Sequence, residues 1–196
     1  MAEAEKPLPL NGGAADVAQA SRLCIDCGLC CTGVIHDAGV LDADEVAPAA
    51  ELGLQILPSS ARAGWSFPCA ALDGTRCGIF GHRPRCCSRY KCQVLVELLD
   101  GRLDFDEAAS RTRRALQLFA ELLAVRPGYL SIHDTKVMAR NQLFTPALRD
   151  VADKATALQR YVDRYFRKPN EDKLFPQAGG AGEDAKPGTI APKRAK

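Results

Sequence analysis

Nine cysteines could do chemistry in this chain, and their spacing narrows which chemistry. They are Cys24, Cys27, Cys30, Cys31, Cys69, Cys77, Cys86, Cys87 and Cys92. Four of them fall within CIDCGLCC, residues 24–31. Two residues between thiols let the chain turn once and bring consecutive sulfurs to one centre, and Gly28 frees the backbone for that turn. A single such pair suits zinc or a redox dithiol. Two in series, sharing Cys27, present three thiolates to one object. That suits three irons of a cubane cluster, with a fourth ligand from a distant cysteine. It also suits three corners of a tetrahedral zinc. Neighbouring side chains diverge, so Cys30 and Cys31 are awkward ligands for the same ion. Either they face different centres, or one is a spare or reactive thiol. Cys69, Cys77, Cys87 and Cys92 are enough to complete one site and build a second.

Disulfides are the competing use of so many thiols. The odd count and the adjacent pairs Cys30-Cys31 and Cys86-Cys87 fit a disulfide framework badly. The start, MAEAEKPLPLNGGAADVAQA, lacks the basic and apolar regions of a signal peptide. No run approaches the roughly 18–20 apolar residues of a membrane span. The expected address is the cytoplasm, where thiols stay reduced and serve as ligands or reactive groups.

The chain has 196 residues, 46% hydrophobic and 26% charged, which is a globular composition sufficient for about one domain. The net charge of +2 announces neither a nucleic-acid nor a membrane partner. The charge is unevenly placed, because residues 1–60 hold nine Asp or Glu against only Lys6 and Arg22. The positive remainder coincides with the second group of cysteines, where Arg76, Arg83, Arg85, Arg89 and Lys91 are interleaved with the thiols. A metal with four thiolates is net negative, so guanidinium groups beside it can donate to the sulfurs and tune the centre. Arg83 and Arg89 are the expected donors. Phe67, Phe80 and Tyr90 also interleave with these charges, which leaves a nucleic-acid reading open in second rank. Among the histidines, His82 lies among the thiols as a candidate ligand, sulfur donor or exposed residue. His36 is a weaker candidate, and His133 is expected to be structural.

The elements that must position the thiols follow from the apolar pattern. Residues 1–20 read as a disordered lead and 169–196 as a disordered, low-complexity tail. Residues 21–92 form the cysteine domain, and 93–168 a helical extension packing on it. A short helix is expected over 41–54, kinked at Pro48 and closed by Gly53. Residues 55–90 carry turn residues and no helix-sized apolar face, so a metal is expected to staple them, with Trp65 packed among them. Helices follow over about 91–99, then from Asp104 and Glu107 to Pro127, and from Thr145 and Pro146 to Phe166. The second has the face Ala108, Ala115, Phe119, Leu122 and Leu123. The third has Leu148, Val151, Ala155, Leu158, Val162, Tyr165 and Phe166, and this stripe is expected to pack on the preceding helix. The fold class is a small α+β or mainly α protein: a loop-rich, metal-stapled cysteine region buttressed by two or three C-terminal helices.

These residues carry a resemblance. CIDCGLCC, then PCAALDGTRCGIFGHRPRCCSRY and Cys92, resembles the CxxCxxCC cysteine-cluster family of YkgJ type, a zinc- or iron-chelating domain. Cys24, Cys27, Gly28, Cys30 and Cys31 match its first part. Cys69, Leu72, Asp73, Gly74, Cys77, Ile79, Phe80, Arg83, Pro84, Cys87, Tyr90 and Cys92 match its second. The resemblance covers about residues 21–92 and implies metal binding by those eight cysteines. Cys86 is an additional thiol beside the matching Cys87, and Ser88 stands where the family often has Arg. The family includes flagellin lysine N-methylases, which are larger. This chain shows no glycine-rich fingerprint for a nucleotide-like cofactor, so methylase activity is not carried over.

The expectation is therefore a metal-binding protein with one or two centres, each an iron–sulfur cluster (4Fe-4S) or zinc. Whether it is an enzyme is left open. A redox or protein-modifying enzyme and a zinc-stabilised module that binds a protein partner are the competing readings.

Overall fold

Cys24 and Cys27 sit on a helix. The computed structural model describes residues 17–57 and 63–171. Its first element is α1, Val17–Cys27, which buries Ala20 and Leu23 and carries both thiols in its last turns. The lead expected over 1–20 lies largely outside the described residues, but its last four positions are the first turn of α1. Gly28 then takes a left-handed φ of +61° and ends the helix. The turn expected at Gly28 is thus a helix stop, and the Cys24–Cys27 spacing is one turn of α-helix.

Gly28 is needed twice over. A Cβ here would also lie 2.5 Å from the carbonyl oxygen of Thr75. Gly28→Ala is expected to cost about 1–2 kcal/mol for the backbone conformation alone. The clash with Thr75 adds to it. A melting temperature equal to wild type would contradict this.

Past Cys31 the chain forms short strands. β1 (Ala38–Val40) pairs antiparallel with β2 (Gly64–Ser66), with Gly39 opposite Trp65. β3 (Leu72–Asp73) and β4 (Arg76–Cys77) make a hairpin. Between β1 and β2, a 3₁₀ turn (Ala43–Glu45) runs into α2 (Val46–Glu51), with Gly53 at φ +82° just beyond it. Pro48 lies in the first turn of α2, where no backbone donor is needed, so it does not kink the helix. A second 3₁₀ turn (Phe80–His82) and α3 (Arg85–Arg89) complete this half.

Four helices follow. They are α4 (Gln93–Leu99), α5 (Phe105–Val125), α6 (Ile132–Asn141) and α7 (Arg149–Tyr165). Three of them stand where the apolar pattern puts them. The Asp104 carboxylate caps α5 by accepting the Glu107 N–H at 2.7 Å. Its buried face is Ala108, Thr112, Ala115, Leu118 and Leu122, whereas Leu123 is exposed. A 3₁₀ turn (Pro146–Leu148) precedes α7, and Thr145 makes no side-chain cap. The α7 stripe packs on α5 and α6, and α1 lies against α4 and α5. The helix the sequence reading lacks is α6. It buries Thr135 and Lys136 beside Ile132 and Ala139, so its inner face does not read as apolar.

Two hydrophobic clusters result. The larger joins α1 and the 29–35 segment to α4, α5, α6 and α7, centred on Leu29, Val34, Val94, Leu122, Leu158 and Phe166. The smaller gathers Leu41, Ala49, Leu54, Trp65 and Cys69. The larger cluster crosses residue 92, so the helices and the cysteine-bearing α1 share one core.

Polar side chains from α6 and from the end of α7 hold the backbone just after Cys31. The buried Arg167 guanidinium donates to the carbonyls of Val34 (3.2 Å) and Ile35 (3.1 Å), to the Gln159 amide oxygen, and to the Asp163 carboxylate. Gln159 Nε2 donates to Val34 as well, and Lys136 Nζ donates to the Gly33 carbonyl at 2.8 Å. Asp37 on the outside pairs with Lys136 and His133.

Candidate metal centre

All nine cysteines are free thiols, and all nine line one cavity of about 490 Å³. The cavity lies between the two hydrophobic clusters. Eight of its thiols divide between the walls: Cys24, Cys27, Cys30 and Cys92 pack on the helical cluster, and Cys31, Cys86 and Cys87 pack on the smaller one, to which Cys69 belongs, while Cys77 is part of neither cluster.

Electrostatics gives the same division. Cys24 and Cys92 act on Cys27, Cys24 acts on Cys92, and all three act on Cys30. The thiols acting most strongly on Cys31 are Cys77 and Cys69, and Cys31 and Cys69 both act on Cys87. Cys30 and Cys31 thus face different sets, as the divergence of adjacent side chains requires. Weaker influences cross between the sets, since Cys24 acts on Cys31, and Cys31 acts on Cys27 and Cys30.

Each element contributes for a local reason. Cys24 and Cys27 are three residues apart on α1 and share one face. The Cys31 N–H donates to the Gly28 carbonyl at 2.8 Å, which curls the chain back after the helix. The Cys69 N–H donates to the Cys31 carbonyl at 2.8 Å, and the β3–β4 hairpin brings in Cys77. Cys92 stands immediately before α4, where the next N–H, of Gln93, donates to the Phe166 carbonyl at 2.9 Å.

Burial makes these thiols hold their protons. It raises Cys24, Cys27, Cys30 and Cys69, and lifts Cys31 and Cys92 to about 12. Neighbouring thiolates raise Cys27 and Cys30 further, and Arg83 opposes the rise at Cys24. In the adjacent pair, the contact between the sulfurs lowers Cys86 and raises Cys87. Four buried thiolates together are costly unless a cation neutralises them, so the donor set fits a thiophilic metal. Among the described residues, no three Cys, His, Asp or Glu side chains stand together as ligands of one ion. The sulfurs line the wall of the cavity.

A pH dependence follows for the metal-free chain. Cys24, Cys27, Cys30, Cys31, Cys69 and Cys92 ionise later in the folded chain than in the unfolded one, where the ordinary value is about 8.5. Above that pH the unfolded chain holds fewer protons, so stability falls as pH rises. Each unit of difference is about 1.4 kcal/mol per thiol. Denaturation midpoints of the metal-free protein at pH 7.5 and pH 10 measure it. An equal or higher midpoint at pH 10 would contradict the burial.

The other expected residues separate. Arg83 lines the cavity, its Nε–H donating to the Phe80 carbonyl at 2.8 Å and its guanidinium lying 3.6 Å from the centre of the Phe80 ring. Arg89 is exposed at the end of α3 and does not line the cavity. His82 is exposed outside it, whereas His36 forms part of its wall, edge-on to Tyr90 at 4.4 Å. Burial lowers the His36 pKa. Arg85 is engaged by Asp42, Asp44 and Glu45. Phe67, Phe80 and Tyr90 all line the cavity. The residues missed at the sequence level are Lys136, Gln159 and Arg167, which hold the loop after Cys31. Only the position of Arg167, directly after the α7 stripe, hinted at its role.

The spacing of the first four cysteines, the hairpin between Cys69 and Cys77, and the return at Cys92 describe one pattern. Residues 23–112 match the CxxCxxCC family model, described as a "putative zinc- or iron-chelating domain". The match supports metal binding by this chain. It runs beyond residue 92 through α4 and into α5, the helices that pack against α1. No curated protein matches the chain. No solved structure matches it. No helix among the described residues is long and apolar enough to cross a membrane.

Proposed function

We propose that this CxxCxxCC chain is a metal protein in which Cys24, Cys27, Cys30 and Cys92 hold an iron–sulfur cluster, with zinc as the second reading. The observation that carries it is the position of Cys92. Of the distant cysteines, it is the one that joins the three thiols of the double C-x2-C on the same wall of the cavity. Three closely spaced thiolates and one distant thiolate are the donor set of a cubane cluster.

A bound cluster supplies one-electron chemistry. The chain supplies an apolar, largely buried setting, and the Arg83 guanidinium favours the ionised form of Cys24 and Cys31. Burial and nearby positive charge are the levers that set the potential of such a centre. Anaerobic purification with iron, sulfide and zinc analysis tests the reading. Iron and sulfide in equal amounts, with a broad visible absorbance bleached by dithionite, are expected. A colourless protein with stoichiometric zinc and neither iron nor sulfide overturns the cluster and leaves zinc.

A further inference from the structure

We infer that the open cleft between α6 and the end of α7 binds a small anionic molecule, recognised through a phosphate or carboxylate group. The cleft measures about 660 Å³, in the usual range of small-molecule sites, and its described wall contains no cysteine. The inference does not depend on which metal the chain holds.

One face of α6 gives the cleft a row of nitrogen-bearing side chains. His133, Lys136 and Arg140 stand three and four residues apart, so they share that face, and all three line the cleft. The loop after Cys31 adds His36 and Asp37, and the residues after α7 add Arg167 and Glu171. Lys136 and Arg167 are only 4% and 6% exposed, so two cations are fixed beneath the surface. Each is held by backbone carbonyls of residues 33–35.

The acids and the nitrogen donors of the cleft are unequally engaged. Asp37 already pairs with Lys136 and His133. Glu171 accepts the Lys168 backbone N–H at 3.0 Å and the Tyr90 hydroxyl at 3.4 Å, and it pairs with Lys168 Nζ. The Arg140 side chain, by contrast, is exposed and has no hydrogen bond or ion pair among the described residues. His36 Nε2 is buried and has no hydrogen-bond partner among them either. The unpartnered groups are therefore a guanidinium and an imidazole nitrogen, which donates in the tautomer that carries its proton there. A buried polar atom without a partner calls for one. An oxyanion supplies the acceptors these groups lack, and a guanidinium can bind phosphate or carboxylate through two parallel hydrogen bonds. Lys136 and Arg167 add positive potential, which Asp37 and Asp163 offset in part.

Isothermal titration of the full chain with inorganic phosphate and with citrate, at constant ionic strength, tests the inference. Saturable binding of at least one probe, one molecule per chain, is expected. Binding of phosphate alone assigns a phosphate group, and binding of citrate alone assigns a carboxylate. Saturation by neither overturns the inference. Arg140→Ala is expected to weaken the binding about tenfold. His36→Phe keeps a ring against Tyr90 and removes the nitrogen, and is expected to weaken it about 2- to 10-fold. Arg113→Ala, on the exposed surface of α5, is the control and is expected to bind as wild type. Unchanged affinity in Arg140→Ala, or an equal loss in Arg113→Ala, overturns the inference. Metal content is expected to be the same in all three variants and in wild type, so the reading of the thiols stands or falls separately.

Discussion

Cys92→Ser is expected to empty the proposed centre of Cys24, Cys27, Cys30 and Cys92 and remove much of the chain's resistance to unfolding. Cys92 is the distant member of the set that Cys24, Cys27 and Cys30 begin, and it stands where α4 starts. A metal there ties α1 to α4. It also ties α1 to α7, since the Gln93 N–H donates to the Phe166 carbonyl. In the smallest metal-held folds this tie amounts to roughly 10–16 kcal/mol and decides whether the chain folds at all. Here a helical core of Leu29, Val94, Leu122, Leu158 and Phe166 adds apolar burial to whatever a metal contributes. The loss is therefore expected to be a fraction of that figure, with the helices still present. Cys86→Ser is the contrast. Its thiol contacts Cys87 on the opposite wall from Cys92, so metal content at Cys24, Cys27, Cys30 and Cys92 and the denaturation midpoint are expected to stay near wild type. Metal analysis and denaturant titration of the two variants decide it. Equal metal loss in both would mean that Cys86 is a ligand.

The second large effect is expected at Arg167, far from any cysteine in sequence. Its side chain is 5% exposed and pairs with Asp163, which is 1% exposed. It also donates to the carbonyls of Val34 and Ile35. Arg167→Ala leaves a buried carboxylate without its cation and two buried carbonyls without this donor. Breaking such a pair from one side costs about 3–5 kcal/mol. The consequence reaches the metal because residues 33–35 follow Cys31 directly. With α7 no longer gripping that loop, Cys30 and Cys31 lose their fixed placement, and metal is expected to leave faster. A double variant, Arg167→Met with Asp163→Leu, removes both charges and is expected to recover part of the stability. Denaturation midpoints and chelator-driven release rates measure both effects. A single variant within about 1 kcal/mol of wild type would show that the network is not needed.

Much of this protein is readable from local pattern. The caps and apolar stripes place α4, α5 and α7, because a helix that packs on a core must repeat its apolar residues at helical spacing. They do not reveal α6, whose inner face includes Thr135 and Lys136. Lys136 is buried because Asp37 and the Gly33 carbonyl satisfy it, and those partners are about 100 residues away. Position relative to the thiols also misleads. His82 is close to Cys77 in sequence yet exposed, while His36 reaches the cavity wall because its loop is pinned from α7. For the same reason, Arg83 reaches the cavity by folding back over Phe80, and Arg89 at the end of α3 does not.

The sequence by itself determined that this is a thiol-rich metal chain. Nine cysteines, the first three at two-residue spacings with Gly28 among them, allow few other uses. It also showed that Cys30 and Cys31 could hardly serve one ion, since adjacent side chains diverge. Only the tertiary structure decided where each of them points. Cys30 packs on the helical core with Cys24, Cys27 and Cys92, and Cys31 turns to the wall that holds Cys69 and Cys87. Spacing governs thiols within one turn of chain. The distant partners are chosen by whichever helices and hairpins pack together, and that packing is a property of the whole core.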